Sequence, residues 1–172
     1  MENSTRLLLA TAKGLAICER GSDGWQLSKR ELSRTHVTSV IAQGDMILAG
    51  TQAGIYRSED GGDSWREIDE GLSIRHIRWL AAHPDDPQRV FAGSEPAGIF
   101  LSKDGGLTWD SRPEVERLRD ALGWFLPYSP QAGCVRGFAL SGTRGYAAVE
   151  VGGALLSNDN GVSWSLSGTE GT

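Results

Sequence analysis

Two positions of a threefold sequence repeat carry charged residues that could do chemistry. One position holds Thr38, Arg78 and Arg136, and the other holds Thr51, Glu95 and Glu150. The repeat with threonine has it at both positions, whereas each repeat with arginine has glutamate at the second. Opposite charges across two strands stabilise a sheet by about 0.2–1 kcal/mol, so two structural ion pairs are one interpretation. The other is a charged rim that binds a carboxylate or a sugar, because a guanidinium holds a carboxylate through two hydrogen bonds.

Two histidines occupy a further matching position. His36 and His76 lie two residues before the threonine or arginine of the first position. Imidazole nitrogens bind metal ions, but equal spacing also follows from the repeat itself. We expect neither a metal site nor a cofactor, because Cys18 and Cys134 match no metal-ligand spacing. A phosphate-binding loop and a dinucleotide-binding fingerprint are also absent from the sequence.

An insertion before the last repeat, residues 111–133, predicts one short helix. Ser111 to Glu114 matches a capping box, with a proline that the first helical turn tolerates. Gly123 is a plausible end of the helix. The apolar residues that share one helical face are Val115, Leu118 and Leu122.

Two aromatic residues after the predicted helix are candidates for ligand contact. Trp124 and Tyr128 lie in the sequence Trp-Phe-Leu-Pro-Tyr. Aromatic rings at a polar rim suit stacking on a sugar or contact with a protein. In the alternative interpretation, the insertion covers the central channel of the fold with its own side chains.

The elements that position these residues are indicated by a short box, S-x-D-x-G-x-[ST]-W, that occurs three times. Its members are Ser58, Asp60, Gly62 and Trp65; Ser102, Asp104, Gly106 and Trp109; and Ser157, Asp159, Gly161 and Trp164. A worn copy lies at Gly21–Trp25. In a turn, an aspartate carboxylate accepts hydrogen bonds from nearby backbone N–H groups, glycine adopts positive φ and tryptophan anchors the turn. We predict a structural role, since a calcium loop needs more oxygen ligands.

The spacing of the boxes predicts the blades of a β-propeller. Trp25 and the three boxed tryptophans are 40, 44 and 55 residues apart, and repeats of about 40 to 50 residues are typical of propeller blades. Short apolar runs between glycine turns read as four antiparallel strands, A to D, with the box between C and D. The predicted blades are residues 6–35, 36–75, 76–112 and 134–172, and the first lacks strand A.

Composition excludes several classes of protein. The chain has 172 residues, 23 glycines and a net charge of −5, which does not suit nucleic-acid binding through a basic face. The apolar run Leu7–Ala12 is too short to span a membrane. The two cysteines are far apart, so we expect a reduced, cytoplasmic setting.

The boxes and their matched context resemble the BNR or Asp-box family of β-propellers. That family includes bacterial sialidases, sortilin-type receptors, the photosystem II assembly factor and many bacterial proteins labelled as glycosyl-hydrolase BNR-repeat proteins. The resemblance implies that the boxes lie on outer turns, away from a ligand-binding face. That face would collect the starts of strand A and the ends of strand B.

Two functions follow from the resemblance. The first is a non-catalytic binding or assembly scaffold that takes a protein or a carbohydrate ligand. The alternative is a sialidase-like glycoside hydrolase, which needs three arginines, a tyrosine nucleophile with a glutamate partner, and an aspartate acid/base. The sequence lacks the Arg-Ile-Pro motif and a clear third arginine, and Tyr128 and Tyr146 have no evident partner glutamate. We therefore predict no catalytic residues.

The predicted blades make only part of a ring. Closed propellers usually have four to eight blades, and this chain has three complete blades and one incomplete blade. The alternatives are a piece of a longer protein, two copies that associate into a larger ring, and an unusual small or open propeller.

Overall fold

Four antiparallel sheets follow one another along the chain in the computed structural model, which describes residues 5–124, 126 and 133–168. The first sheet contains β1 (Arg6–Thr11), β2 (Gly14–Gly21) and β3 (Gly24–Glu31). The second contains β4 (Val37–Gln43), β5 (Met46–Thr51), β6 (Gly54–Ser58) and β7 (Arg66–Ile68). The third contains β8 (Ile77–His83), β9 (Asp86–Ser94), β10 (Ile99–Ser102) and β11 (Asp110–Ser111). Helix α1 (Pro113–Leu122) precedes the fourth sheet, which contains β12 (Val135–Ser141), β13 (Arg144–Val149), β14 (Gly153–Ser157) and β15 (Ser165–Leu166).

Successive sheets pack face to face, with their inner strands side by side. β1 lies against β4, β4 against β8 and β8 against β12. Three apolar clusters fill the spaces between neighbouring sheets, the largest around Phe91, Trp124 and Trp164. Sheets stacked in this order are the blades of a propeller. No helix in the described ranges combines the length and apolarity that a membrane span requires.

Each box closes the turn between the third and fourth strands of its sheet through one carboxylate. Asp104 accepts hydrogen bonds from the N–H groups of Leu107 and Thr108, at 2.9 and 3.0 Å, and from the Thr108 hydroxyl at 2.6 Å. The Ser102 hydroxyl donates to the same carboxylate and accepts from the N–H of Gly106. The boxes around Asp60 and Asp159 repeat this pattern. Every bond lies within the turn, so the box is a local structure.

The glycine and tryptophan of each box press against the preceding sheet. In the fourth sheet, Gly161 has φ of 78° and lies against the ring of Phe91. The Trp164 ring meets Phe91 edge-on, with ring centroids 6.2 Å apart. The equivalent contacts are Gly62 on Ile17 and Gly106 on Leu48. The boxes therefore join the sheets to one another as well as closing their own turns.

The turn of the first sheet differs from the box that we expected. β2 and β3 remain paired as far as Gly21 and Gly24, so Ser22 and Asp23 alone form the turn. This is a two-residue hairpin, and Gly24, which directly follows the turn, has φ of 104°. The interpretation of Gly21–Trp25 as a worn box is therefore wrong for the turn geometry.

Helix α1 begins without the predicted capping box. Its N-cap is Arg112, no side chain caps it, and Pro113 starts the helix. The capping box does not form because the Glu114 carboxylate instead accepts a hydrogen bond from the backbone N–H of Trp164, at 3.1 Å. Gly123 ends the helix in the left-handed conformation, as predicted, with φ of 61°. Val115 is buried, whereas Leu122 is 54% exposed and does not share its buried face.

Candidate ligand-binding pocket

A pocket of about 310 Å³ lies where the inner strands of all four sheets meet. Its lining residues are Ala10, Thr11, Ala12, His36, Val37, Thr38, Arg78, Trp79, Val135 and Arg136. They come from the end of β1 and from the starts of β4, β8 and β12, together with His36 just before β4. The volume is at the lower end of the range for small-molecule pockets.

A β-bulge places one residue of each later sheet at this pocket. The pairing between the first and second strands skips one residue near its start in each of the second, third and fourth sheets. The skipped residues are Thr38, Arg78 and Arg136. A bulge leaves its extra residue out of the ladder and redirects the side chain. The three residues that the sequence aligned at one position are thus brought together by one repeated backbone irregularity.

Both arginines at the pocket are paired with glutamates of their own sheets. Arg136 Nη2 donates to Glu150 Oε2 at 2.7 Å, and Arg78 Nε lies 3.4 Å from Glu95 Oε2. The hydrogen bond to Glu150 raises the pKa of Arg136, and the same bond lowers the pKa of Glu150. Both groups therefore stay charged near neutral pH, and the ion pairs hold the guanidinium groups in position.

The threonine that we aligned with the two glutamates does not share their place. The backbone N–H of Gln52 donates to the His36 carbonyl, as Glu95 and Glu150 do to the carbonyls of His76 and Cys134. Gln52 is therefore their structural equivalent. Thr51 lies one residue earlier in the register, and its hydroxyl donates to the carbonyl of Gly54 at 2.8 Å. The alignment of Thr51 with the glutamates was wrong by one residue, because the strand register pairs Thr51 with Val37 as it pairs Ser94 with Ile77.

The second sheet has no ion pair at its bulge. The Thr38 hydroxyl lies 2.9 Å from the carbonyl oxygen of Gly50 and 2.5 Å from that of Ile77. Thr38 is thus committed to joining β4 to its own sheet and to β8. The charged part of the pocket belongs to the third and fourth sheets.

The two histidines have different surroundings. His36 lines the pocket, whereas His76 Nδ1 lies 4.0 Å from Glu95 Oε2. Burial lowers the pKa of His76, outweighing the attraction of the Glu95 carboxylate. The His76 ring is therefore neutral at neutral pH. Within residues 5–124, 126 and 133–168, no group of three His, Cys, Asp or Glu side chains could hold a metal ion.

Cys134 is a buried thiol beside the fourth-sheet ion pair. Its Sγ lies 3.3 Å from Glu150 Oε2 and donates to it. Burial, reinforced by the bond to Glu150, raises the pKa of the thiol. Because the thiolate is the nucleophile, this cysteine is unsuited to nucleophilic chemistry at neutral pH.

The insertion contributes its tryptophan to the core. Trp124 is 3% exposed, and its ring packs against Gly152 and Val149 of the fourth sheet. It lies in the core, away from the polar rim where the sequence suggested it. Tyr128, the other candidate of the insertion, lies outside the described residues.

Trp79 is a pocket residue that sequence reasoning missed. It follows the bulged Arg78, lines the pocket and is 44% exposed. The signal that could have found it is the arginine beside it, because an extra residue in a strand moves the following side chain out of alternation.

The solved structures most informative for this chain are propellers. YCF48 from Cyanidioschyzon merolae is 17% identical with a TM-score of 0.61, over 94% of this chain and 52% of that chain. YCF48 bound to D1 peptide is 16% identical with a TM-score of 0.51, over 94% and 64%. An ancestral GH74 enzyme is 19% identical with a TM-score of 0.57, over 75% and 18%. This chain therefore spans less than two thirds of each.

These similarities confirm the predicted all-β propeller fold. No protein-family model matches the sequence, and no curated protein matches it. Membership of the Asp-box family accordingly stays a prediction, and the fold by itself does not specify a function.

Proposed function

We propose that this chain is a non-catalytic binding scaffold that takes an extended protein segment at the inner pocket. The observation that carries the proposal is Trp79, a half-exposed aromatic ring that lines the pocket together with Arg78 and Arg136. Tryptophan and arginine are the residue types enriched among the side chains that dominate binding energy at protein interfaces.

The size and polarity of the pocket favour part of a peptide as the occupant. A volume of about 310 Å³ accommodates one or two side chains. Each guanidinium has five N–H donors, and its ion pair leaves some of them for a carbonyl or carboxylate of the ligand. YCF48, a protein of the same fold, has been solved bound to D1 peptide. That complex supports a protein segment as the ligand of this pocket.

The chemistry of the acidic residues argues against hydrolysis. A glycosidase needs a carboxylic acid whose pKa is raised so that it can protonate the leaving group. The pKa of Glu150 is instead lowered by the hydrogen bond from Arg136. Tyr146, one of the two tyrosines considered for a sialidase, is absent from the pocket lining. The GH74 similarity concerns the fold alone.

Selection of peptide ligands tests this function directly. A random peptide library displayed on phage is selected against the purified chain, and the dissociation constant of a selected peptide is measured by fluorescence polarisation. We expect Trp79→Ala to weaken binding by tenfold or more, about 1.4 kcal/mol, and Arg136→Gln to weaken it as well. Leu122→Ala, at an exposed residue of helix α1 outside the pocket, is the matched control.

Two results would overturn the proposal. One is equal peptide binding by the wild type and Trp79→Ala. The other is hydrolysis of aryl glycosides or sialosides that disappears in Arg78→Ala or Glu150→Gln, which would establish the sialidase-like alternative.

A further inference from the structure

The contact between neighbouring sheets repeats three times in the chain. In each case, the box of one sheet packs on a residue of the sheet before it, as Gly161 does on Phe91. Leu48 and Phe91, which receive these contacts in the second and third sheets, are fully buried. Tyr146 holds the same place in the fourth sheet. Each of Leu48, Phe91 and Tyr146 lies three residues before the residue that pairs with the start of the first strand of its sheet.

The fourth sheet has one face without a neighbour among the described residues. Strands β5 and β9 are buried on both sides toward their ends, whereas β13 alternates strictly between exposed and buried residues. Tyr146 is 41% exposed where its equivalents are covered. We call this surface the back face, and the strand register gives it Gly137, Ala139, Tyr146, Ala148, Ala154 and Leu156.

The back face is hollow because four of its six residues are glycine or alanine. A depression of about 300 Å³ lies over it, lined chiefly by small residues. Such a depression is suited to large apolar side chains from a partner, since close packing of apolar atoms is what stabilises an interface core.

The first sheet presents the complementary surface. Leu7 pairs with Cys18, which pairs with Leu27, so both leucines lie on the side opposite to the one that meets the second sheet. Strand alternation adds Leu9 and Trp25 to that side. We call this surface the front face, and its residues Leu7, Leu9, Trp25 and Leu27 are 38%, 42%, 46% and 52% exposed.

We infer that the front face of a second copy of this chain docks on the back face, and that two copies close into a ring. The large side chains of the front face match the hollow of the back face. In the second sheet, Ile47 and Ala49 hold the places of Leu7 and Leu9. Both are buried, and Ala49 packs with Leu15 and Ile17 of the first sheet. The interface between copies thus repeats the face-to-face packing of neighbouring sheets, except that the first sheet has a two-residue turn in place of a box.

Each copy carries one front face and one back face, so every contact between copies leaves one face of each kind for the next contact. A front-to-back contact is heterologous, and it ends in a ring only if the rotation closes. Two copies of four sheets make eight, the upper end of the range for closed propellers. Both apolar faces are then covered, as soluble proteins require of large exposed patches.

Light scattering after size-exclusion chromatography tests the inference. The chain, at concentrations from about 1 to 200 µM, a range that brackets micromolar dissociation constants, is expected to give a mass of twice the 18.5 kDa of one copy. Tyr146→Asp and Trp25→Asp should each raise the dissociation constant about 100-fold or more, because each buries an unpaired charge. Leu122→Asp, equally exposed but on neither face, is the control and should leave the mass unchanged.

Mixing the two variants gives the sharper measurement. A pair made of one Tyr146→Asp copy and one Trp25→Asp copy has both substitutions in a single interface and leaves the other interface intact. The mixture should therefore regain a pair at concentrations where each variant alone is a single copy. A folding defect or a general loss of solubility would not be rescued by mixing.

Other outcomes overturn the inference. A wild-type mass of 18.5 kDa at every concentration would mean that these faces are covered by sheets from another source, such as a longer chain. A two-copy mass that persists in both variants would place the contact elsewhere. Peptide binding at Trp79 is read out separately, so failure of this inference leaves the proposed function standing.

Discussion

Replacement of Asp104 by alanine tests the account of the box most directly. Of the three box aspartates, Asp104 is the least exposed. Its carboxylate accepts from two backbone N–H groups and from the hydroxyls of Ser102 and Thr108, with all four distances between 2.6 and 3.0 Å. Alanine removes both carboxylate oxygens at once, so the backbone N–H groups of Leu107 and Thr108 must bond to water or lose their hydrogen bonds.

The expected cost follows from the number and kind of these bonds. An aspartate that caps backbone N–H groups contributes about 0.5–2 kcal/mol, and hydrogen bonds to charged groups contribute about 1.5–3 kcal/mol each when they are buried. The turn is partly exposed, so water recovers much of that loss. We expect Asp104→Ala to lower the free energy of unfolding by about 2–3 kcal/mol.

Urea unfolding at one fixed protein concentration and neutral pH measures the effect. The midpoint should fall while the slope of free energy against urea stays constant. Asp23→Ala is the matched control, because Asp23 sits in the two-residue turn of the first sheet and makes no side-chain hydrogen bond within the described part of the chain. Its change should stay within about 0.5 kcal/mol. Equal losses in the two variants, or a negligible loss in Asp104→Ala, would refute the reasoning.

Two further results are expected from the boxes. Gly161→Ala should lower the free energy of unfolding by about 3 kcal/mol or more, because φ is 78° and the new Cβ would overlap the Phe91 ring. Gly142→Ala, at φ of 52° with open space around it, should lose only about 1 kcal/mol in the same urea titration. Burial opposes ionisation of Asp104 and Asp159, but hydrogen bonds outweigh it and hold the pKa of each at about 2. The pKa of an aspartate in the unfolded chain is about 3.9, so this stabilisation is present above that pH and is lost as the pH falls toward 2. The urea midpoint of Asp104→Ala should therefore decline less steeply between pH 5 and 2 than that of the wild type. Parallel curves of midpoint against pH for the two proteins would contradict the assignment.

The pocket contains some features that the sequence pattern predicted and others that it did not. The sequence aligned Arg78 with Arg136 and predicted their glutamate partners, and the structure pairs them as ions. It did not predict the bulge that puts both arginines at one pocket, nor the exposure of Trp79. A bulge depends on pairing with another strand, and a single strand read by alternation carries no sign of it.

The predictions for the capping box and for Trp124 in the insertion were wrong for a similar reason. Ser111 to Glu114 has every residue of a capping box, yet Glu114 binds the backbone of Trp164, which is 50 residues away. Trp124, read as a rim residue, fills the core instead. In both cases, a distant partner outcompeted the local preference.

The sequence by itself determined the boxes, because Ser102, Asp104 and the groups they bind are at most four residues apart. Repetition of the boxes then determined the second, third and fourth sheets and their order. Only the tertiary structure decided which side chains line the pocket, where the helix begins, and which faces of the first and fourth sheets remain uncovered. Those outcomes depend on contacts between residues far apart in the chain, whose energies no local pattern encodes.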